Sequence, residues 1–568
     1  MRTWKGRLVS ANGKGLPSRA TGALCGVLAA AVAIGVAQLL AGLSIPQASP
    51  VLAVGQAAID LTPLPVKDWA TSTFGTNDKN ALLTGVFVVL FLYAAGIGAV
   101  AVRRLALGMA GLALFAVIGL AAALTRPSAS AAYALPTLAG ALAGAFALYR
   151  LVVTARRGSA AAAAAGAAEP LPPIVFGDGG GELRAPDLPD EMHPPEPPGA
   201  NVPPLRRPLP QPPPRRAFLA TAGVAVLTAA VGEVAGRQLT TRRNVTAARS
   251  ALRFPRAAVT APPVPAGANL PVPGISSFIT PDSQFYRVDT ALFVPQVDPS
   301  NWQLRIHGMV SREIVLTFDE LLKRPLIEDY ITLCCVSNPV GGPYVGNAKW
   351  LGASLASLLR AAGVRAGADQ LVCTSVDGFT SGTPLPVVMD GRDALVAVAM
   401  NGSALPVEHG FPARLVVPGL YGYVSACKWV VDIEVTTFQS AVAYWAQRGW
   451  SQQGPVKTES RIDVPASGSQ VKAGRVAVAG VAWAQHKGIE AVEVRVDGGP
   501  WHEATLAAVP GIDTWRQWVW QWDASATGPH LIEARATDKT GYTQTAAQAP
   551  VAPNGATGYP TSQITVYS

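Results

Sequence analysis

Two adjacent cysteines are the residues of this chain with the most distinctive chemistry. Cys334 and Cys335 follow the apolar run YITL and precede an Asn-Pro turn, in a chain of 568 residues with only five cysteines. Neighbouring Cα atoms are about 3.8 Å apart, which is shorter than a disulfide usually spans. In an extended segment the two side chains point to opposite faces. We therefore expect one thiol at most to face a given site, while the other packs away.

Residue types alone leave two interpretations of this pair open. Buried cysteines often act as small apolar side chains, so both thiols could belong to a core. One thiolate could instead bind a metal. A zinc site is poorly supported, because the sequence has no CxxC motif and no histidine close to the pair.

The composition indicates a chain that is partly embedded in a membrane. Apolar residues make up 49% of the chain and charged residues only 14%. The formal net charge of +9 does not indicate nucleic-acid binding, because the arginines cluster beside apolar runs. The length exceeds that of a single core, and five cysteines are too few for a disulfide scaffold.

Five stretches are long and apolar enough to span a bilayer, which needs about 20 residues. They cover roughly 22–43, 82–102, 105–124, 132–153 and 217–236. Basic residues are concentrated before the first span, between the second and third, after the fourth and before the fifth. The positive-inside rule then predicts a cytoplasmic N-terminus and an extracytoplasmic position for everything after the fifth span.

The spans and the Pro-rich stretches divide the first half of the chain. Residues 1–157 are predicted to hold four transmembrane helices, 158–214 an Ala/Pro-rich cytoplasmic linker, 215–237 a fifth transmembrane helix and 238–275 a Pro-rich connector. The fifth helix begins PRRAFLATAGVAVLTAA, which resembles a twin-arginine export signal. The alternative is that flanking arginines simply suit a span that enters from the cytoplasm.

Two soluble domains follow. Residues 276–457 mix strand-like runs such as WQLRIHG with helical ones such as FDELLKRP, which is typical of an α+β domain. Residues 458–568 alternate in short strands with a turn signal at 497–498, which predicts a β-sandwich of immunoglobulin-like size. The predicted fold class is therefore multi-domain: N-terminal transmembrane α-helices, an α+β domain and a C-terminal immunoglobulin-like β-sandwich.

One strand of the predicted sandwich is rich in tryptophan. Trp518, Trp520 and Trp522 alternate in TWRQWVWQWD and therefore share one face of the strand. We expect these rings to pack in the core of the sandwich. A carbohydrate or other ligand platform is the alternative.

Several ordered motifs resemble those of the sulfite oxidase family of molybdopterin-dependent oxidoreductases. They are TLCCVSN at 332–338, MNGSALPVEHGFPARLVVPGLYGYVSACKW at 400–429, and GVAWAQHKGIEAVEVRVDGGPW in the predicted sandwich. The resemblance covers about 280–565 and identifies the α+β domain as a molybdopterin-binding domain. Together with the predicted spans it implies a membrane-anchored bacterial type.

The resemblance implies a molybdenum–molybdopterin cofactor and assigns residues to it. Register against the motif selects Cys335 as the metal ligand and leaves Cys334 packed. A soft thiolate suits this metal, while a phosphate and the pterin edges need cations and forked donors. The positions that match the cofactor-binding motifs, with a one-residue gap at Arg287, are Phe285, Tyr286, Arg287, Cys335, Asp377, His409, Arg414 and Lys428. A paired structural arginine at 414 and turn roles for His409 and Asp377 are the alternatives.

Some positions depart from the family pattern. Pro339-Val340-Gly341-Gly342 stands where sulfite oxidases have an arginine pair, Trp450 stands at the substrate-pocket tyrosine, and the anion-binding arginine of the sandwich falls near Trp518. Each lost charge-assisted contact is worth roughly 1.5–3 kcal/mol. We therefore expect a sulfur or nitrogen oxide compound, such as a sulfoxide or an N-oxide, or a larger organic substrate rather than sulfite.

The reaction implied is a two-electron oxygen-atom transfer on a small molecule, at a Cys-ligated molybdenum outside the cytoplasm. The chain has no CxxCH motif, and all six histidines lie outside the predicted spans, so the electron partner is expected to be a quinone or a separate redox protein. A homodimer formed through the sandwich is a further partner that the resemblance implies. The alternative from another class is a cofactor-free extracellular binding or adhesion protein that uses the same folds.

Overall fold

The computed structural model describes residues 16–44, 48–63, 66, 69, 73–74, 78–126, 129–167, 214–242 and 245–568. The chain divides into two compact units. One contains most of the N-terminal helices, and the other contains the residues from Thr241 to the C-terminus together with the short segments Ala58–Gly75 and Arg126–Ala129.

The first unit is built from long apolar helices. The helices are α1 (Arg19–Leu43), α2 (Pro50–Leu61), α3 (Asp78–Ala101), α4 (Leu105–Leu124), α5 (Ala134–Ala167) and α6 (Pro214–Arg242). Within the described residues, five helices are long and apolar enough to cross a membrane. Their bounds are Arg19–Leu43, Asn80–Ala101, Leu105–Leu124, Ala131–Ala161 and Arg216–Gly236.

Small residues let these helices approach each other closely. Gly22 and Gly26 lie four residues apart on α1, and both face the backbone around Gly98 of α3. A Cβ atom at Gly22 would lie 2.7 Å from the carbonyl oxygen of Gly98, so only glycine fits there. This small-xxx-small contact is a common way for helices to pack in a bilayer.

Two predicted boundaries differ from the observed ones. Residues 158–167, assigned above to the linker, continue α5, because alanine has the highest intrinsic helix propensity. The rest of the linker, 168–213, lies outside the described residues, as does the side chain of Arg215 in the twin-arginine stretch. The connector predicted at 238–275 contains the end of α6 and a further helix, α7 (Thr246–Ala251).

The α+β domain contains two sheets. Its strands are β1 (Gln303–Gly308), β2 (Ile314–Thr317), β3 (Leu326–Cys334), β4 (Val345–Ser354), β5 (Gln370–Ser375), β6 (Thr380–Pro384), β7 (Leu395–Met400), β8 (Ser403–Ala404), β9 (Arg414–Val416) and β10 (Val430–Thr436). One sheet has the order β2-β1-β10-β5-β6, and the other has the order β3-β4-β7-β8 with β9 paired to β7. The short helices are α8 (Phe318–Leu322), α9 (Leu355–Ala362), α10 (Leu385–Met389) and α11 (Gly422–Ser425).

Strand β7 of the second sheet is buried on both faces. Every residue of β7 is buried, which explains its continuous apolar sequence LVAVAM. Val396 and Val398 belong to the core shared with the first sheet. Ala397 and Met400 belong to a separate core that also contains Phe285.

The sandwich domain has the two packed sheets that the sequence predicts. Its strands are β11 (Glu459–Val464), β12 (Gln470–Lys472), β13 (Gly474–Trp483), β14 (Ile489–Val496), β15 (His502–Glu503), β16 (Thr505–Leu506), β17 (Arg516–Ala524), β18 (Gly528–Asp538) and β19 (Thr561–Tyr567). The sheet orders are β11-β13-β17-β16 and β12-β19-β18-β14-β15. Trp518 and Trp522 lie in the core between the sheets, so packing is their role. The immunoglobulin-like assignment stays a prediction.

The sandwich closes one side of the cysteine strand, β3. Trp515 donates its backbone N–H to Thr332 Oγ1 at 2.7 Å, and Gln485 Nε2 donates to the Thr332 carbonyl oxygen at 3.0 Å. Cys334 packs in one cluster with Val481 and Trp483 of the sandwich. Strand β3 is thereby held by both domains.

Candidate active site

The alternation of side chains along β3 separates the two cysteines. Ile331 and Leu333 enter the core that contains Phe285, whereas Cys334 enters the cluster shared with the sandwich and is fully buried. Cys335 is the first residue of the connection from β3 to β4, residues 335–344, which we call the cysteine loop. Its thiol is therefore the one that is free to face a site.

The cysteine loop holds Cys335 by its backbone. The Cys335 N–H donates to the Tyr344 carbonyl oxygen at 2.9 Å, and the Cys335 Sγ lies 2.9 Å from Ser337 Oγ. Burial raises the pKa of the Cys335 thiol, although the hydrogen bond from Ser337 and the charge of Lys428 lower it. The group is therefore a thiol at neutral pH.

Arg414 is a buried cation that, like Cys335, affects the pKa of Tyr286. Its guanidinium donates to the carbonyl oxygens of His409 at 3.0 Å and Ala426 at 3.4 Å, and its Cζ lies 5.1 Å from the Trp350 ring centroid. Within the described residues it has no carboxylate partner. Burial lowers its pKa to about 10. Because an uncompensated buried charge is costly, the position favours an anionic ligand.

Lys428 and Arg287 share one carboxylate. The Lys428 Nζ lies 2.7 Å from Asp289 Oδ2, and the Arg287 Nε lies 2.8 Å from the same oxygen. Burial lowers the pKa of Lys428 to about 8, while Asp289 acts in the opposite direction. The sequence analysis did not identify Asp289. An acidic residue two positions after Arg287 could have predicted this ion pair.

His409 is held neutral by its surroundings. It ends a short 3-10 turn (Val407–His409), and its Nε2 lies 3.3 Å from the Asp282 carbonyl oxygen. Burial, followed by the charges of Arg414 and Lys428, lowers its pKa to about 4. Because a carbonyl oxygen only accepts, the neutral ring donates its Nε2–H to Asp282, and Nδ1 is left as an acceptor that adds no charge to the site.

Gly410 explains how the HGFPAR segment brings its side chains together. Its φ of +111° is in the left-handed region, which favours glycine. A Cβ atom here would lie 3.0 Å from Arg414 Cβ and 3.2 Å from Lys428 Cα. The turn can approach both cations this closely only because position 410 carries no side chain.

Two aromatic residues line the same region. The Phe285 and Tyr286 rings are stacked with centroids 5.3 Å apart, and Phe285 also meets the His409 ring edge-on at 5.5 Å. Burial raises the pKa of Tyr286, and the charge of Cys335 raises it further. The Tyr286 phenol is therefore neutral and within electrostatic range of the Cys335 thiol.

Asp377 lies at the edge of the group. Its Oδ1 accepts the Phe379 N–H at 3.2 Å within the turn between β5 and β6. Burial raises the pKa of this carboxyl; Asp289 raises it further and Lys428 lowers it. The structure thus brings seven predicted site residues together and leaves Asp377 in electrostatic contact only. The seven are Phe285, Tyr286, Arg287, Cys335, His409, Arg414 and Lys428.

The polar groups of the site fit a molybdopterin-type ligand. Asn338 is buried in the cysteine loop, and its Oδ1 accepts the Tyr344 N–H at 2.8 Å. Its Nδ2 has no hydrogen-bond partner among the described residues. An unfilled donor and an uncompensated guanidinium suit a ligand with a phosphate and many heteroatoms. Within the described part of the chain, no group of three or more His, Cys, Asp or Glu side chains could hold a metal ion.

Trp515, rather than Trp518, is the residue of the tryptophan-rich run that contacts β3. Trp518 is fully buried in the sandwich core, whereas Trp515 approaches β3 and donates its Nε1–H to the Phe278 carbonyl oxygen at 2.8 Å. Sequence reasoning also missed Arg461 of β11, which donates from Nη1 to the Gly342 carbonyl oxygen at 3.3 Å. Its Nε pairs with Asp463 at 2.6 Å, so its charge is largely neutralised.

Trp450 belongs to an aromatic group on the sandwich side of the cysteine loop. Its ring lies 6.1 Å from the rings of both Tyr423 and Trp445. It also packs against the cluster that contains Cys334 and Val336. Aromatic surface rather than charge therefore lies at this position.

The low pKa of His409 predicts loss of stability in acid. The folded-state pKa is about 4, whereas an unfolded histidine titrates near 6.5, so the unfolded chain binds more protons between these values. The free energy of unfolding of the cofactor-free chain should therefore fall by roughly 3 kcal/mol from this group as the pH drops from 6.5 to 4. Denaturant titrations followed by tryptophan fluorescence should show a shallower pH dependence in His409→Gln.

The exposed His502 supplies the control for this measurement. The His502→Gln variant should keep the wild-type dependence on pH, because this side chain is exposed in the folded chain. An acid-side slope of His409→Gln equal to that of the wild type would contradict the neutral, buried state of His409.

Comparisons with known proteins point to one family of oxidoreductases. A family model described as the oxidoreductase molybdopterin binding domain matches residues 291–445. The mitochondrial sulfite oxidase of Mus musculus is 30% identical over 296 residues, which cover 44% of this chain and 54% of the relative. The sulfite oxidase of Gallus gallus is 30% identical over 326 residues, which cover 48% of this chain and 70% of the relative.

Among solved structures, the sulfane dehydrogenase SoxCD from Paracoccus pantotrophus matches with a TM-score of 0.42 and 26% identity, covering 47% of this chain and 74% of that chain. The chain spans about half the length of the mouse relative. The match to the chicken enzyme and the match to the molybdopterin-binding domain together identify the family of this chain. The chain belongs to the sulfite oxidase family of molybdopterin-dependent oxidoreductases.

Proposed function

We propose that this chain is a membrane-anchored molybdopterin-dependent oxidoreductase that transfers an oxygen atom in a two-electron reaction. One observation carries the proposal. The Cys335 thiol, turned away from the core, lies within electrostatic range of Lys428 in a site that also holds Arg414, a buried cation without a carboxylate partner among the described residues. A thiol that faces such a cationic group is a site for a soft metal with an anionic organic ligand.

Each side chain of the site has a distinct task in this proposal. Cys335 is the protein ligand of the metal. Arg414 and Lys428 bind the phosphate, while His409 and Asn338 offer hydrogen bonds to the pterin edges. The cofactor supplies the two-electron chemistry, and the protein supplies position and electrostatics.

The charges around the cysteine loop favour a neutral substrate. Lys428 is paired with Asp289 and assigned to the cofactor, and Arg461 is paired with Asp463, so neither cation is left for an anionic substrate. The segment 339–342 carries no charged side chain. We therefore propose a sulfoxide or an N-oxide as the substrate class. For a sulfoxide the balanced reaction is R2SO + 2H⁺ + 2e⁻ → R2S + H2O.

The location and partners follow from the helical unit. The five long apolar helices support a multi-pass membrane protein, and the basic flanks support a catalytic domain outside the cytoplasm. A folded domain with a bound cofactor suits export through a twin-arginine route. The electrons come from a quinone or a separate redox protein, and two copies of the chain pair through their sandwich domains.

The metal assignment predicts opposite results for the two cysteines. Full-length protein made with the cofactor available should contain about one molybdenum per chain by elemental mass spectrometry. Cys335→Ser should lose the metal, because it loses the soft ligand. Cys334→Ala should keep it, because Cys334 packs on the opposite side of β3.

Circular dichroism must show that both cysteine variants are folded. A wild-type chain without molybdenum would favour the cofactor-free binding protein instead. Full metal content in Cys335→Ser would show that the Cys335 thiolate is not the metal ligand.

The substrate proposal predicts a preference that can be measured directly. With reduced viologen as electron donor, purified enzyme should reduce methionine sulfoxide with a higher kcat/KM than that for sulfite oxidation with ferricyanide. The reason is the shortage of unpaired cations for a dianion at the cysteine loop. Efficient sulfite oxidation without sulfoxide reduction would contradict this proposal. It would instead favour sulfite, the substrate in the names of the mouse and chicken relatives.

The topology predicts which part of the chain is exposed outside the cell. Protease added to intact spheroplasts should digest an epitope placed after Ser568 and spare one placed within the linker at 168–213. Lysis before digestion provides the control, because both epitopes should then be lost. A protected C-terminal epitope would reverse the proposed orientation.

A further inference from the structure

The Tyr286 phenol lies at the start of the cysteine loop. A Cβ atom built on Gly422 would lie 3.8 Å from the Tyr286 hydroxyl oxygen and 3.7 Å from the Cys334 carbonyl oxygen. The Tyr286 hydroxyl and the Cys334 carbonyl oxygen therefore both face the same position of α11, Gly422. No side chain at 422 separates the phenol from this part of the loop.

Aromatic neighbours fix the orientation of the Tyr286 ring. It stacks on Phe285 at 5.3 Å, and its centroid lies 6.5 Å from that of Tyr344. Phe285 is itself held edge-on against Trp350 at 5.9 Å, and the Tyr344 carbonyl accepts the Cys335 N–H. A ring packed in this way can present its hydroxyl in one direction without a large entropic cost.

The hydroxyl is a neutral donor within electrostatic range of Cys335 and Arg414. Burial raises the pKa of Tyr286, the charges of Cys335 and Cys334 raise it further, and that of Arg414 lowers it. The phenol therefore keeps its proton at physiological pH. Within the described residues, no hydrogen bond is made by its hydroxyl oxygen, so the donor is available for a ligand of the site.

We infer that Tyr286 donates a hydrogen bond to the substrate oxygen atom that is transferred at the Cys335-bound metal. This inference rests on the proposed function and goes beyond the cofactor-binding role that the family resemblance gives to position 286. A neutral donor matches a neutral sulfoxide or N-oxide, whose oxygen accepts hydrogen bonds but carries no net ionic charge. Tyr286 keeps its proton throughout, and the two protons of the reaction come from solvent.

The substitution Tyr286→Phe removes only the hydroxyl and keeps the aromatic stack. Molybdenum content should stay at the wild-type level, while kcat/KM for methionine sulfoxide with reduced viologen should fall about tenfold or more, as expected for a lost hydrogen bond to a reacting atom. Binding of methionine sulfoxide to the oxidised enzyme, which cannot turn over without a reductant, should weaken about threefold to tenfold in calorimetry.

Tyr330→Phe is the matched control for this substitution. Tyr330 is partly buried on the sandwich side of β3, with its ring 6.0 Å from that of Phe278, away from the proposed site. Its variant should match the wild type in metal content, turnover and sulfoxide binding. A tenfold loss in Tyr330→Phe as well would show a general effect of hydroxyl removal and would overturn the inference.

The remaining outcomes separate this inference from the proposed function. Normal turnover by metal-loaded Tyr286→Phe overturns the hydrogen bond alone. Loss of molybdenum from Tyr286→Phe would show that the phenol helps to hold the cofactor. That result also overturns the proposed hydrogen bond to the substrate. A wild-type enzyme that lacks molybdenum, or that is loaded but reduces no sulfoxide or N-oxide, overturns the proposed function or its substrate class, and the inference with it.

Discussion

The two-residue period of β3 is the constraint on which the site depends. A strand sends successive side chains to opposite faces, and β3 has a different domain on each face. Thr332 and Cys334 are engaged by the sandwich, whereas Ile331 and Leu333 anchor the strand in the core beside Phe285. The cysteine loop inherits this register, so the next thiol, that of Cys335, has only the Phe285 side available. A shift of one residue would exchange the roles of the two cysteines.

Burial of charge is the second organising feature. Arg414, Lys428 and His409 are all withdrawn from water, and in each case burial is the main cause of a lowered pKa. One neighbouring carboxylate, Asp289, compensates Lys428 and Arg287, while Arg414 is left with carbonyl oxygens and the face of Trp350. Burial of the Arg414 guanidinium without a carboxylate partner among the described residues carries an electrostatic cost that an anionic ligand relieves. Such a site gains stability when it is filled.

Local patterns in the sequence were sufficient for much of this arrangement. Alternation predicted that the two cysteines separate, and the HGFPAR and KW motifs brought His409, Arg414 and Lys428 to one place. The alternating tryptophans predicted a packed strand, which Trp518 and Trp522 confirm. These features depend on neighbours in the chain or on a motif that already encodes the contact.

Long-range contacts escaped the same reasoning. Arg461 reaches Gly342 from another domain, and nothing in either local sequence indicates that they meet. Within the TWRQWVWQWD run, Trp515 rather than Trp518 contacts β3, because the register of a strand against a distant partner cannot be read from its own alternation. The helical end of α5 was missed for a different reason: an alanine run was grouped with the proline-rich stretch that follows it.

The packing behind Cys334 also determines the side from which a ligand can arrive. Trp483, Trp515 and Val481 close that face completely, whereas Arg287 and Val288 on the other face are exposed. We therefore expect a large planar ligand to enter past the Phe285–Tyr286 pair, while the sandwich stays in place on the opposite side of β3. Binding of the ligand would then require no separation of the α+β domain from the sandwich. A fully folded chain could therefore bind the ligand, release it and bind it again.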